Sequence, residues 1–437
     1  MALRLSTEDA EFEARFAAFL DAKREAAADV DAAAATILED VKVRGMAAVL
    51  DCTTRFDRFE ATEAGLRISA EEIEAAASDV PAETLEALEL AAARIRAYHE
   101  RQRPEDARWT DPAGADLGWR WTAVESAGLY VPGGLAAYPS SVLMNAIPAR
   151  VAGVSRLTMT APTPGGKANP LVLLAAKLAG VDEIWRIGGA QAVGALAYGA
   201  GPIRSVDKIV GPGNAYVAAA KRRVYGRVGI DSIAGPSEVL VIADRENEPD
   251  WVALDLLSQA EHDASAQAIL MTDDAAFAGA VEAAVAKRLE TLERRDVAGA
   301  SWRANGAVIL VRDFAEAAAL SDRIAPEHLE LLVADPEALA QKIRHAGAIF
   351  LGALTPEAIG DYVGGPNHVL PTMRTARFSS GLSVLDFMKR TTIAKMSPGA
   401  LMAVGPAAAA LARAEGLEAH GLSVLARLER MNGGGDV

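Results

Sequence analysis

The sequence predicts an α/β protein built on parallel sheets covered by helices, and three observations lead there. From about Ala123 onward, short apolar runs alternate with longer helical stretches. Hydrophobic residues make up 51% of 437, enough to bury a large core. Glycine-rich turns follow several of the apolar runs, as expected where strands feed helices.

The stretch up to Glu100 is rich in Ala and Glu and reads as helices. STEDAEFEARF opens with Ser6 as a cap and acidic residues behind it. EEIEAAASDV and AETLEALELAAARIRAYHE form a helical pair broken by Pro81. His99 lies near the end of the second helix, where a cation is favoured, and reads as structural or surface. Strand and helix then alternate: RLTMTAP with PLVLLAAKLAG, DEIWRIGG with AQAVGALAYG, VDKIVGPG with NAYVAAAKRRVYG, SEVLVIAD with the helix around WVALDLLSQAEHD. AQAILMTDD, GAVILVRD and GAIFLG continue the series, which is long enough for two such units in tandem. After Phe378 the segments, including LMAVGPAAAALARAEGLEAHGLSVLARLERM, are mostly helical and suggest a small arm.

Composition narrows the function. Lys and Arg number 44 against 59 Asp and Glu, a net charge of -15, which argues against a polyanion partner. Cys52 is the one cysteine, so no intrachain disulfide can form. Its surroundings, VLDCTTRFDRF, hold no histidine and mark a non-catalytic thiol, so any aldehyde oxidation would run through water. The charged N-terminus has no apolar core typical of a secretory signal. LMAVGPAAAALA is too short for a membrane span and contains Pro406, so a cytoplasmic location is expected.

The glycine-rich turns Gly188-Gly189 and Gly211-Pro212-Gly213-Asn214 suit either a nucleotide or ordinary tight connections. Neither carries a full fingerprint: the second lacks a third glycine, and the first has Ala195 and Leu196 where a phosphate loop has Lys and Ser or Thr. GLYVPGGLAAYPSSVLM is an aromatic, proline-rich loop in which Ser140 and Ser141 can cap the next helix; it either lines a cofactor site or is a packed connector. Five of six histidines follow Gln259. Gln259 and His262 share a helix face, His328 follows Glu327, His368 lies near Asp361, and His420 near Glu415. Such a set fits a zinc site, an acid–base pair or structural histidines, and no H-E-x-x-H or C-x-x-C decides between them. On residue chemistry alone Glu261 is a more natural ligand than the neutral Gln259.

GLYVPGG, YPSSVLM, GGAQAVGALAYG, VGPGNAYV, AGPSEVLVIAD, SQAEHD, APEHLEL and GDYVGGPNHVLPT, taken in this order, resemble histidinol dehydrogenases. The resemblance implies two incomplete Rossmann-like domains with small helical N- and C-terminal arms. The N-terminal arm would be 1–24; 25–129 with 238–380 would carry the zinc and acid–base residues; 130–237 would be the NAD side; 381–437 would be an arm for dimerisation. It implies one zinc per subunit on Gln259, His262, Asp361 and His420, the last supplied by the other subunit of a homodimer. Glu327 and His328 would be the acid–base pair, and Tyr130, Gln191 and Asn214 would contact NAD. Ser237, His368 and Glu415 would contact substrate together with His328 and the zinc ligands. The implied reaction takes L-histidinol to L-histidine through L-histidinal with two NAD reduced, the last steps of histidine biosynthesis. The alternative is a related zinc- and NAD-dependent enzyme for another polar alcohol, such as a sulfonated diol; Glu415 and His368 favour an imidazole-bearing amino alcohol. A zinc hydrolase without cofactor and a non-catalytic metal-stabilised dimer are further readings, and the glycine-rich turns weigh against the hydrolase.

Overall fold

Continuous apolar runs become buried parallel strands when both faces of a sheet are covered. The computed structural model, which describes residues 2–22, 28–78, 80–133, 138–233 and 235–433, contains two such sheets. The larger has six parallel strands in the order β1 (Leu3–Ser6), β11 (Ala307–Leu310), β10 (Gln267–Thr272), β9 (Glu238–Ala243), β12 (His328–Leu332), β13 (Ala348–Leu351). The smaller has five, in the order β6 (Glu183–Trp185), β5 (Arg156–Thr160), β4 (Ser126–Tyr130), β7 (Lys208–Val210), β8 (Gly229–Ile230). A third sheet is antiparallel: β14 (Met388–Lys395), β3 (Asp116–Ala123), β2 (Ala107–Thr110). Residues 1–102 and 125–387 form one compact unit holding both parallel sheets. Residues 103–124 and 388–437 form a second, with the antiparallel sheet and the paired helices Pro398–Ala414 and Glu418–Asn432.

The core follows strand periodicity. All six residues of β9 are buried, with Leu240 and Ile242 in one apolar cluster and Val239, Val241 and Ala243 in another. β10 divides the same way, Ile269 and Met271 against Ala268 and Leu270. In the five-stranded sheet, Ile209 of β7 packs with Val193 and Leu196 of the helix Gly189–Tyr198 and with Leu38 and Val41 of the helix Ala28–Arg44.

The α/β expectation is met, with four local differences. The N-terminal helix begins only at Phe12, because Leu3–Ser6 is drawn into the large sheet beside β11. Ser6 therefore ends a strand instead of capping the helix, whose N-cap is Glu11. The segment after Phe378 is not purely helical: Met388–Lys395 pairs along the whole of β3. Its short-range pattern of Lys, Arg and Thr is that of an exposed strand, easily missed beside two long helices. His99 does end the helix Ala82–Glu100, yet it is fully buried and its imidazole is pushed below its ordinary value by that burial, so it is a neutral core residue. The border expected at 24/25 falls outside the described residues.

Candidate active site

Three elements converge at the amino ends of β9 and β12. His328 opens β12, in register with Val239 of β9 and Ala348 of β13. Strand alternation puts His328, Glu330 and Leu332 on one face, and Leu332 packs with Val252 and Leu256 of the helix Pro249–Ala260. On that helix Asp255 and Gln259 are one turn apart, a spacing close to the two-residue rise separating Glu330 from His328. Asp255 accordingly hydrogen-bonds Glu330, and Gln259 lies beside His328. The short helix Glu357–Tyr362 supplies a second pair one turn apart, Glu357 and Asp361. The Glu357 backbone N–H donates to Glu330 Oε1 (2.6 Å), and Asp361 Oδ1 lies 3.8 Å from His328 Nε2.

The network fixes the state of His328. Its Nδ1 is 3.1 Å from the Glu238 carbonyl oxygen, which can only accept, so Nδ1 carries the proton. Burial pushes the imidazole down to about 4, against the raising effects of Asp361 and the Glu238 carbonyl. The ring is therefore neutral, and Nε2 is a buried lone pair with no hydrogen-bond donor among the described residues. The Gln259 nitrogen, when turned toward Glu357 Oε1 (3.1 Å) and the Glu238 carbonyl (3.3 Å), also lies 3.2 Å from His328 Nδ1; with Nδ1 protonated it donates to the two oxygens, and its own oxygen faces away. Burial raises the Glu357 carboxyl well above the usual range, helped by the charges of Asp361, Glu330, Glu327 and Asp255. Glu330 is raised likewise by burial and by Asp255, and burial lifts Asp255 to about 6. Glu327 Oε2 accepts from the Glu238 backbone N–H (2.8 Å) and lies 3.8 Å from His328 Nδ1. His368 Nδ1 donates to the Asp361 carbonyl (2.9 Å), while Nε2 lies 3.5 Å from the Ser141 hydroxyl.

These groups face a cavity of about 900 Å³. Ser237, Gln259, His262, Glu327, His328, Asp361 and His368 line one side and Gly211–Asn214 another. The cavity thus lies off the amino ends of the six-stranded sheet and off the carboxyl end of β7 in the five-stranded sheet. His328 is held by the sheet ladder, and Glu327, just before it, is held through its carbonyl, which accepts from the Ala348 N–H (2.9 Å). Asn214 lines the cavity, whereas Tyr130 and Gln191 are buried. The Tyr130 hydroxyl accepts from the Gly189 N–H (3.0 Å), and burial pushes the phenol up to about 12. The aromatic loop before them lies partly outside the described residues, at 134–137. Ser140 and Ser141 do not cap the next helix, which starts at Pro139 with Tyr138 as N-cap; Ser141 faces His368 instead. Glu415 and His420 belong to the second unit, where both are exposed, at the end of one helix and in the first turn of the next. Cys52 sits on the helix Met46–Asp57, its thiol pushed up by burial and by Asp40 and Asp51, the reverse of an activated nucleophile.

A family model described as histidinol dehydrogenase matches residues 20–428. The chain belongs to the histidinol dehydrogenase family. The histidinol dehydrogenase of Ruegeria pomeroyi is 71% identical over 98% of this chain and 99% of its own length. That of Rhodospirillum rubrum is 65% identical over the same shares. A crystal structure of histidinol dehydrogenase from Elizabethkingia anophelis superposes with a TM-score of 0.94 at 36% identity, covering 99% of both chains. The enzyme class follows from the family: an NAD-dependent oxidoreductase.

Within this family member, the sequence alone pointed past Asp255, Glu330 and Glu357. Two signals were available: a Glu in the otherwise apolar run HLELL, and polar pairs at i, i+4, Asp with Gln in DLLSQ and Glu with Asp in EAIGD. His328, Glu357 and Asp361 form the cluster of His, Asp and Glu whose ligand atoms lie within 4.8 Å of one another among the described residues.

Proposed function

We propose that this protein oxidises L-histidinol to L-histidine through L-histidinal, reducing two NAD. The family match over residues 20–428 carries the reading, and the buried lone pair on His328 Nε2 gives it a mechanism. The chemistry of the residues suits a zinc ion: a carboxylate (Asp361), an imidazole (His262) and an amide oxygen (Gln259) all line the cavity. His420 of the partner subunit would complete the set. With one anionic ligand the zinc site would stay net positive and suit the imidazole and amine of histidinol, and the metal would supply mainly orientation of the substrate. The cavity also fits a dinucleotide in volume and in its glycine-rich turn, where Asn214 would be a contact; Tyr130 and Gln191, the other two contacts that the resemblance implies, are buried and do not line it. NAD when bound accepts the hydride of each oxidation.

The remaining steps belong to side chains. His328 Nε2 takes the hydroxyl proton of histidinol as the carbon loses hydride, since its neutral state leaves that lone pair open. Glu327 removes a proton from water as its oxygen bonds to the aldehyde carbon, and the protonated His328 returns its proton to the carbonyl oxygen, which gives the hydrate and restores the Nε2 lone pair. His328 then takes the proton of the resulting hydrate as the second hydride departs. Ser237, His368 and Glu415 would hold the substrate's amine and ring. Water as nucleophile agrees with a chain whose single thiol is deactivated. The test is NADH counted per substrate consumed. Two per L-histidinol is expected; no reduction with saturating L-histidinol and zinc removes the reading, and turnover of a sulfonated diol instead favours a sister substrate.

A further inference from the structure

The turn that carries Asn214 is held from behind by a buried ion pair. Lys221 and Asp231 have side chains only 2% and 3% exposed and form an ion pair. Lys221 Nζ also donates to the Gly211 carbonyl (2.9 Å), and Asp231 Oδ2 accepts from the Gly211 N–H (2.8 Å). Both backbone groups of one residue are thereby clamped by one pair of opposite charges. Only glycine fits at this position, since its φ is +114° and a Cβ there would meet the Tyr130 carbonyl oxygen at 2.1 Å, and glycine's freedom gives the clamp a backbone to hold. Lys221 lies on the helix Ala215–Val224, two turns beyond Asn214, and Asp231 follows β8, so the pair ties the helix back to the turn that starts it. Asn214 in turn caps that helix through Tyr216 N–H (3.1 Å) and Val217 N–H (3.2 Å). Gly211, Asn214, Lys221 and Asp231 all border the large cavity.

A buried ion pair is a poor source of stability, because desolvation offsets its attraction and well-packed apolar groups of like volume often replace it at little cost. Its location beside a cavity argues for geometry instead. We propose that Lys221 and Asp231 are positioning residues that pre-shape the Gly211–Asn214 turn for the dinucleotide. The inference rests on the NAD reading above. A rigid, pre-formed turn spares the cofactor the ordering cost of binding.

The experiment is NADH binding by fluorescence, with histidinol binding and thermal unfolding measured on the same zinc-loaded samples. The variants are Lys221→Met and the double variant Lys221→Met/Asp231→Leu, which leaves no charge stranded should the single change fail to fold. The double variant leaves the Gly211 N–H and carbonyl without these partners, so it should unfold cooperatively but below the wild-type temperature, bind histidinol within about twofold of wild type, and lose on the order of tenfold or more in NADH affinity. Unchanged NADH affinity in the folded double variant overturns the positioning role, as does parallel loss of both ligands. Absence of NADH binding by the wild type is a different result, and overturns the cofactor reading itself.

Discussion

At the level of single residues the site turns on one proton. His328 donates through Nδ1 to the Glu238 carbonyl, so Nε2 is the basic atom. Removing that base by His328→Asn should lower the rate of both oxidations by about 10²–10⁴-fold. Glu327→Gln should keep the first oxidation and stall the second, because only the second consumes water. Stopped-flow NADH formation, with L-histidinol and L-histidinal offered separately, distinguishes the two; equal loss of both half-reactions in Glu327→Gln contradicts the division. The pair Glu327-His328 was legible in the sequence as adjacent polar residues in a motif. The tautomer was not, because it depends on a carbonyl 90 residues away.

At the level of elements, packing between periodicities builds the site. One helical turn in Pro249–Ala260 matches two strand residues in β12, so Asp255 meets Glu330 and Gln259 meets His328. The strand–helix order was readable from apolar runs; this cross-element match was not, because it depends on which face of each element turns inward. The edge strand β14 escaped for another reason: its residues are mostly exposed, so no apolar period marks it. Central strands are where truncation costs most. Leu240→Ala should destabilise by roughly 2–5 kcal/mol in denaturant unfolding. His99 offers a pH test. Its Nδ1 donates to the Ile95 carbonyl (2.8 Å) and Asn367 Nδ2 approaches Nε2 (3.3 Å), with burial holding the ring neutral. A histidine depressed in the folded state contributes stability that is full above the unfolded value and declines as pH falls below it, here from about 6.5. Thermal midpoints from pH 7.5 to 5 should therefore fall more steeply for wild type than for His99→Leu; parallel curves contradict this.

At the level of the molecule, no helix among the described residues is long and apolar enough to cross a membrane. The two parallel sheets were legible as a long alternating series, while the second compact unit was not, since its parts, 103–124 and 388–437, are far apart in sequence. Metal removal should separate the two ligands. A chelator should abolish histidinol binding yet leave NADH binding, and added zinc should restore the first. If His420 comes from the partner subunit, inactive His328→Asn and His420→Ala chains mixed as dimers should regain about a quarter of wild-type activity, because half of the dimers contain one intact site; no recovery on remixing contradicts the shared site. The cavity's two walls belong to different sheets, acid–base groups at the amino ends of one and the glycine turn at the carboxyl end of the other. Between the two oxidations spent coenzyme has to be exchanged while the aldehyde stays. With each wall anchored in its own sheet, coenzyme traffic on one does not loosen the grip of the other. An aldehyde held on the acid–base side would stay bound during that exchange, and a carbonyl scavenger added to the medium should intercept little of it; capture of most of it contradicts this independence.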